Sequence, residues 1–177
     1  MHSNLKTKIA NKTAQISVVG AGYVGLPLAI AFASTGFNVS VIDNDQTKVK
    51  KINARESYIN DISSEDIQAL SLQKSSKGSL TATTEYSSVK SADCVIICVP
   101  TPVSKTKDPD VSFILNAANS IAEYVHEGML IVLESTTYPG TTEEIIVPIL
   151  ESSPNGNFKI GKNIFVAFSP ERIDPNN

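Results

Sequence analysis

Cysteine and histidine are scarce in this chain, with two of each among 177 residues. Cys94 and Cys98 stand four apart in one apolar run, on the same face of an extended strand and too far apart along it to bridge. Two thiols with no cysteine or histidine beside them make no zinc site. His126, just before Gly128, reads as a solvated residue at a helix end. A concentrated basic patch is missing too. The net charge is −3, from 15 Lys and Arg against 18 Asp and Glu, which argues against nucleic acid as the main partner. No apolar run approaches the roughly 20 residues of a membrane-spanning helix. Residues 1–13 are polar and lysine-bearing, without the apolar stretch of a secretory signal, and read as a frayed lead-in to a domain over residues 14–177. No solenoid-type repeat recurs. What is left, 41% hydrophobic and 19% charged residues, is ordinary for a soluble domain large enough to bury its own core. The cytoplasm is the expected compartment.

What is present centres on Ser17-Val18-Val19-Gly20-Ala21-Gly22-Tyr23-Val24-Gly25. An apolar strand, Gln15–Val19, runs into a glycine turn and then a helix expected over residues 22–35. Pro27 lies near that helix's first turn, where a missing N–H is tolerated, and Gly36 stops it. Gly20, Gly22 and Gly25 have the spacing G-x-G-x-x-G of a dinucleotide turn. The first glycine permits the tight turn, the second lets the backbone approach a pyrophosphate, and the third lets the helix pack on the strand. Gly20, Ala21, Gly22, Tyr23, Val24 and Gly25 are therefore the candidate pyrophosphate site, on the unpaired N–H groups of a helix start. A second strand, Asn38–Ile42, delivers Asp43 eighteen residues past Gly25, where such folds place the acid that binds the adenosine ribose. A carboxylate there repels a 2′-phosphate, and no arginine follows it; Lys48 is the next cation. The expected cofactor is NAD rather than NADP. The plainer alternative makes Asp43 only a cap for the helix expected over residues 46–54.

Further helices are expected over residues 64–70, capped by Ser63 or Ser64, and over residues 111–124, with Ile114, Ala117, Ala118 and Ile121 on one face. Another runs to residue 150 from a cap at Thr141 or Thr142. Strands are expected over residues 80–83, 94–99, 129–133 and 164–168. Six strands alternating with helices predict an α/β fold, a Rossmann-type doubly wound parallel sheet with helices on both faces. Ligands of such sheets bind outside the carboxyl ends of the strands. That edge receives Val99, Pro100 and Thr101 after the fourth strand, Thr136 and Thr137 after the fifth, and Glu171 after the sixth. Thr101 is placed to touch a cofactor, unless its flanking prolines make only a rigid turn. Cys98 reads as a core thiol, kept inert by apolar surroundings.

Residues 20–29 (GAGYVGLPLA), 98–102 (CVPTP), 134–144 (ESTTYPGTTEE) and 169–172 (SPER) together resemble the NAD-binding domain of the UDP-glucose/GDP-mannose dehydrogenases. Residues 56–59 (ESYI) and the 136–144 block are most similar to the bacterial UDP-N-acetylglucosamine 6-dehydrogenases of surface-polysaccharide synthesis. The resemblance implies oxidation of C6 of a UDP-sugar to the carboxylate with two NAD and two hydride transfers. It implies Gly20 to Gly25 on the pyrophosphate, Asp43 on the ribose with Lys48 close by, and Val99, Pro100, Thr101 and Thr136 toward the cofactor. Thr137 would orient substrate or the hydrolytic water, and Glu171 would serve as base or water positioner for thioester hydrolysis. Without a ligand, Thr137 is a turn hydroxyl before Pro139 and Glu171 a surface carboxylate paired with Arg172. The second glutamate of the UDP-glucose branch is replaced here by Pro175. The family's nucleophilic cysteine, together with a lysine and an asparagine, belongs to a later domain that this chain lacks, so half a site is expected, within a homo-oligomer. Two alternatives stay open: a free-standing NAD-binding module, and the cofactor domain of a UDP-glucose or GDP-mannose 6-dehydrogenase. A methyltransferase would carry G-x-G-x-G, and Gly25 breaks that spacing.

Overall fold

A computed structural model describes residues 2–70, 78–102 and 109–170. Its strands are β1 Gln15–Val19, β2 Asn38–Ile42, β3 Ser79–Thr83, β4 Cys94–Ile97, β5 Leu130–Leu133 and β6 Phe165–Phe168. They form one parallel sheet in the order β3-β2-β1-β4-β5-β6. The chain builds outward from β1 to β3, then crosses back to lay β4 against the other side of β1. Val18 thus faces Val41 on one side and Ile96 on the other. The strand order reverses between β1 and β4, and a crevice opens there at the carboxyl ends.

The helices are α1 His2–Ala10, α2 Gly25–Ser34, α3 Gln46–Asn53, α4 Ser64–Gln68, α5 Ser112–Ala122 and α6 Val147–Glu151. Among the described residues none is long and apolar enough to cross a membrane. Alternation along β4 divides the core in two. Cys94, Ile96 and Cys98 join Leu26, Ala29 and Ala33 of α2 and Val49 and Ile52 of α3. Val95 and Ile97 join Ile114, Ala117, Ala118 and Ile121 of α5 and Leu150 of α6. A strand buried on both faces has no polar side to show, which explains its unbroken apolar run. Burying a side chain such as Leu26 or Ile114 contributes about 1.5–3 kcal/mol, and both are fully buried.

Four expectations are revised. Residues 2–10 are a docked helix rather than a frayed lead-in: Leu5 packs on the core, and Lys8 Nζ reaches Asp93 Oδ1 at 2.6 Å. Helix α2 starts at Gly25, not near residue 22, although the Gly22 carbonyl already accepts the Leu26 N–H at 3.1 Å. Neither Thr141 nor Thr142 caps the helix before residue 150. Gly140, at φ 94°, takes that position, and a π-type turn over Thr141–Ile146 precedes α6. Pro148 lies second in α6, with no N–H to donate to the carbonyl of Glu144. Lastly, His126 is half-buried rather than solvated, its ring nitrogens 2.9 Å from the Ala92 carbonyl and 3.1 Å from that of Glu127.

Candidate functional site

The glycine turn closes the end of β1, and each glycine meets a different constraint. Gly20 has φ 101°, and a Cβ there would lie 2.5 Å from the Cys98 carbonyl oxygen, so the turn sits directly on the end of β4. A Cβ on Gly25 would lie 1.9 Å from the Gly20 oxygen. A Cβ on Gly22 would meet no protein atom within 4 Å. The protein's own packing therefore requires glycine at the first and third positions. At the second it leaves open space, which suits a pyrophosphate approaching the backbone.

Asp43 continues from β2 into the same crevice and is 8% exposed. Its Oδ2 accepts the Ala21 N–H at 2.7 Å and its Oδ1 the Asp45 N–H at 2.9 Å. Lys48 Nζ stands 3.4 Å from Oδ2. Asp45, not Asp43, caps α3 by accepting the Thr47 N–H at 2.8 Å. That bond, ahead of the smaller contributions, holds the Asp45 carboxyl below its ordinary range. Asp43 is therefore a buried carboxylate fixed by two backbone donors and set against the glycine turn.

A cleft of about 520 Å³ runs from this corner across the ends of β4 and β5. Of the residues singled out in the sequence, Gly20, Ala21, Gly22, Tyr23, Val24, Asp43, Lys48, Val99, Pro100, Thr101 and Thr136 line it. Gly25 lies behind the lining. Thr137 is outside it, and Glu171 is outside the described residues. Thr141 Oγ1 donates to the Tyr138 carbonyl at 2.9 Å, so its 2.7 Å contact with Thr137 Oγ1 must use the Thr137 proton. A hydroxyl carries one proton, and Thr137 is left with lone pairs for an O–H or N–H donor.

Sequence reasoning missed Tyr58 and Ile59. Glu134 and Ser135, which the fifth strand was expected to deliver to this edge without a named role, also line the cleft. So does Cys98, read as a core thiol at a strand end near the crevice. Ser135 bonds the Val99 carbonyl at 2.8 Å, tying the two strand-end loops together. Glu134 Oε1 accepts the Ser169 hydroxyl at 3.1 Å. Both stand in the ESTT run, and their place at a strand end was the available signal. Tyr58 and Ile59 come from the link between α3 and α4, where no periodicity marks them. Burial, then the charges of Asp43 and Asp45, push the Tyr58 phenol well above its ordinary range.

This arrangement matches a known family. The model of the UDP-glucose/GDP-mannose dehydrogenase family, NAD binding domain, covers residues 14–177. The chain belongs to that family. Its cofactor is NAD, and the open Gly22 backbone beside a buried Asp43 fits that cofactor.

UDP-N-acetyl-D-mannosamine dehydrogenase of Methanococcus aeolicus is 38% identical over 175 residues, 97% of this chain and 36% of that protein. UDP-N-acetyl-D-glucosamine 6-dehydrogenase of Pseudomonas aeruginosa is 33% identical over 164 residues, 93% of this chain and 36% of that one. The solved structure of NDP-N-acetyl-D-galactosaminuronic acid dehydrogenase from Methanosarcina mazei aligns with a TM-score of 0.81 at 30% identity. That alignment covers 98% of this chain and 37% of that one. This member of the family thus spans little more than a third of the length of these relatives.

Proposed function

We propose that this NAD-binding domain is the cofactor half of a 6-dehydrogenase that oxidises C6 of a UDP-N-acetylhexosamine to the uronate. The observation that carries the reading is the cleft itself, with a dinucleotide corner at Gly22 and Asp43 and hydroxyl-bearing strand ends at Thr101 and Thr136. The sugar class is supported by relatives named for UDP-N-acetylated sugars and by residues 56–59 and 136–144. Bound NAD supplies hydride acceptance, and two such transfers with one water take an alcohol carbon to the carboxylate level. The chain's own residues bind and orient. Gly20 to Gly25 cradle the pyrophosphate, Asp43 accepts from the adenosine ribose, and Lys48 offsets charge beside it. Val99, Pro100, Thr101 and Thr136 wall the cleft toward the cofactor. Thr137, with its proton committed to Thr141, accepts a hydrogen bond from a substrate hydroxyl or a water. Glu171 serves as base or water positioner. The nucleophile and most of the sugar contacts belong to the length that the relatives have beyond this domain. We place the enzyme in the cytoplasm, in keeping with the two unbridged cysteines.

Calorimetric titration tests the cofactor half: NAD is expected to bind at least about tenfold more tightly than NADP, given the carboxylate facing the ribose. Equal affinities would overturn the role given to Asp43. For the substrate, the natural-length protein is incubated with UDP-N-acetylated hexosamines, UDP-glucose and GDP-mannose. Two NADH per N-acetylated sugar is the expected result. Faster turnover of UDP-glucose or GDP-mannose would move the protein to another branch, and NAD binding without turnover of any sugar would make it a binding module.

A further inference from the structure

We infer that Tyr58 is a positioning residue of the dinucleotide site: its hydroxyl fixes the peptide between Ala21 and Gly22, and with it the amide that the turn presents to a pyrophosphate. This rests on the NAD-binding reading above.

The Tyr58 hydroxyl donates to the Ala21 carbonyl at 2.8 Å, and the Ala21 N–H donates to Asp43 Oδ2 at 2.7 Å. The peptides on both sides of Ala21, which is fully buried, are therefore held by side chains from separate parts of the chain. The next residue, Gly22, has no steric neighbour where a Cβ would be, and glycine has the least restricted backbone of all. The peptide after Gly22 is held by the Leu26 N–H, which donates to the Gly22 carbonyl at 3.1 Å, and the peptide before it by the Tyr58 hydroxyl on the Ala21 carbonyl. In a trans peptide the C=O and the following N–H point in opposite directions. Holding the Ala21 carbonyl toward Tyr58 thus turns the Gly22 N–H to the other side of the same plane.

The segment carrying Tyr58 is fastened at several points, as a strap would be. The Ser57 N–H donates to Ser64 Oγ at 3.0 Å and the Ser57 hydroxyl to the Ile59 carbonyl at 3.1 Å. The Arg55 guanidinium donates to the Ile67 carbonyl at 3.1 Å, and Ile59 is buried in the core beneath. The raised ionisation of Tyr58 keeps the phenol proton in place across the neutral range. The Tyr58 bond thus shapes the turn just ahead of α2.

Y58F keeps the ring and deletes the donor. NMR titrations of the ¹⁵N-labelled 177-residue chain with NAD, ADP and adenosine read the effect. Losing one neutral hydrogen bond predicts about threefold to tenfold weaker binding of NAD and ADP. Adenosine, which has no pyrophosphate, should change less than about twofold on the same grounds. The Gly22 amide resonance of the free variant should move while the variant keeps a cooperative thermal transition. NAD and ADP affinities equal to wild type would overturn the inference, as would an equal loss for all three ligands. If Y58F fails to fold, S57A, which loosens the strap and leaves the phenol intact, must show the same selective loss in weaker form. A wild-type chain that binds none of the three would overturn both this inference and the NAD-binding reading.

Discussion

The three glycines of the turn differ in what packing demands of them, and substitution separates folding from the proposed binding. G25A would drive a methyl group into the Gly20 carbonyl at 1.9 Å, a backbone clash that no rotamer relieves. The chain is expected to lose its cooperative thermal transition, or to show it many degrees lower. G22A meets no protein atom and should keep the wild-type midpoint, read by circular dichroism. Its NAD affinity should still fall by on the order of tenfold or more, since the added methyl group occupies the pyrophosphate approach. A G22A variant that binds NAD normally would remove the turn from the site. These glycines and Asp43 were legible in the sequence because a strand end, a turn and a helix start lie within a few residues of each other. Tyr58 was not, since nothing local distinguishes a tyrosine that reaches the turn 37 residues away from one facing solvent.

Helix α1 shows how one part-buried carboxylate can dock an element. Asp93 accepts both Lys8 Nζ at 2.6 Å and the Gln15 N–H at 2.9 Å. The lysine side chain is 41% exposed and the aspartate 14%. K8A removes a largely screened partner and should cost less than about 1 kcal/mol. D93A also strands a part-buried backbone N–H at the start of β1 and should cost about 1–3 kcal/mol. Chemical denaturation of both variants checks the order, and equal losses would mean that the ion pair alone docks α1. The polarity of residues 1–13 hid this helix, because its anchor lies at residue 93. Capping was legible where it is local: Ser63 and Asp66 form the reciprocal box at the start of α4. It was misread at Thr141, where the left-handed Gly140 and the demands of Pro148 shape the turn.

Across the molecule, burial of weak acids sets the alkaline limit of stability. Burial, then the charge of Asp93, pushes the Cys94 thiol up to about 11 from an ordinary 9.0. Burial, then Asp43, also raises the Tyr86 phenol, and Tyr58 moves the same way. For each group the folded state holds its proton more tightly than the unfolded one. The stability tied to it is fully present below the unfolded value and is lost as pH rises through the folded one. Thermal midpoints should therefore be level near neutral pH and fall between about pH 9 and pH 11, with a shallower fall in C94A. A midpoint unchanged across that window would overturn the account.

By itself the sequence determined the strand–helix alternation, the parallel α/β class, the glycine turn and the acid at the end of the second strand. Each of these rests on periodicity or spacing within one unit of the fold, where chain connectivity already holds the residues together. Only the tertiary structure decided the strand order that sets β4 beside β1. It also decided which strand-end loops share a cleft with the glycine turn, and which side chains fasten that turn from a distance. Such contacts join residues tens of positions apart, and only the packing of the two core layers on the twisted sheet brings them within hydrogen-bonding reach.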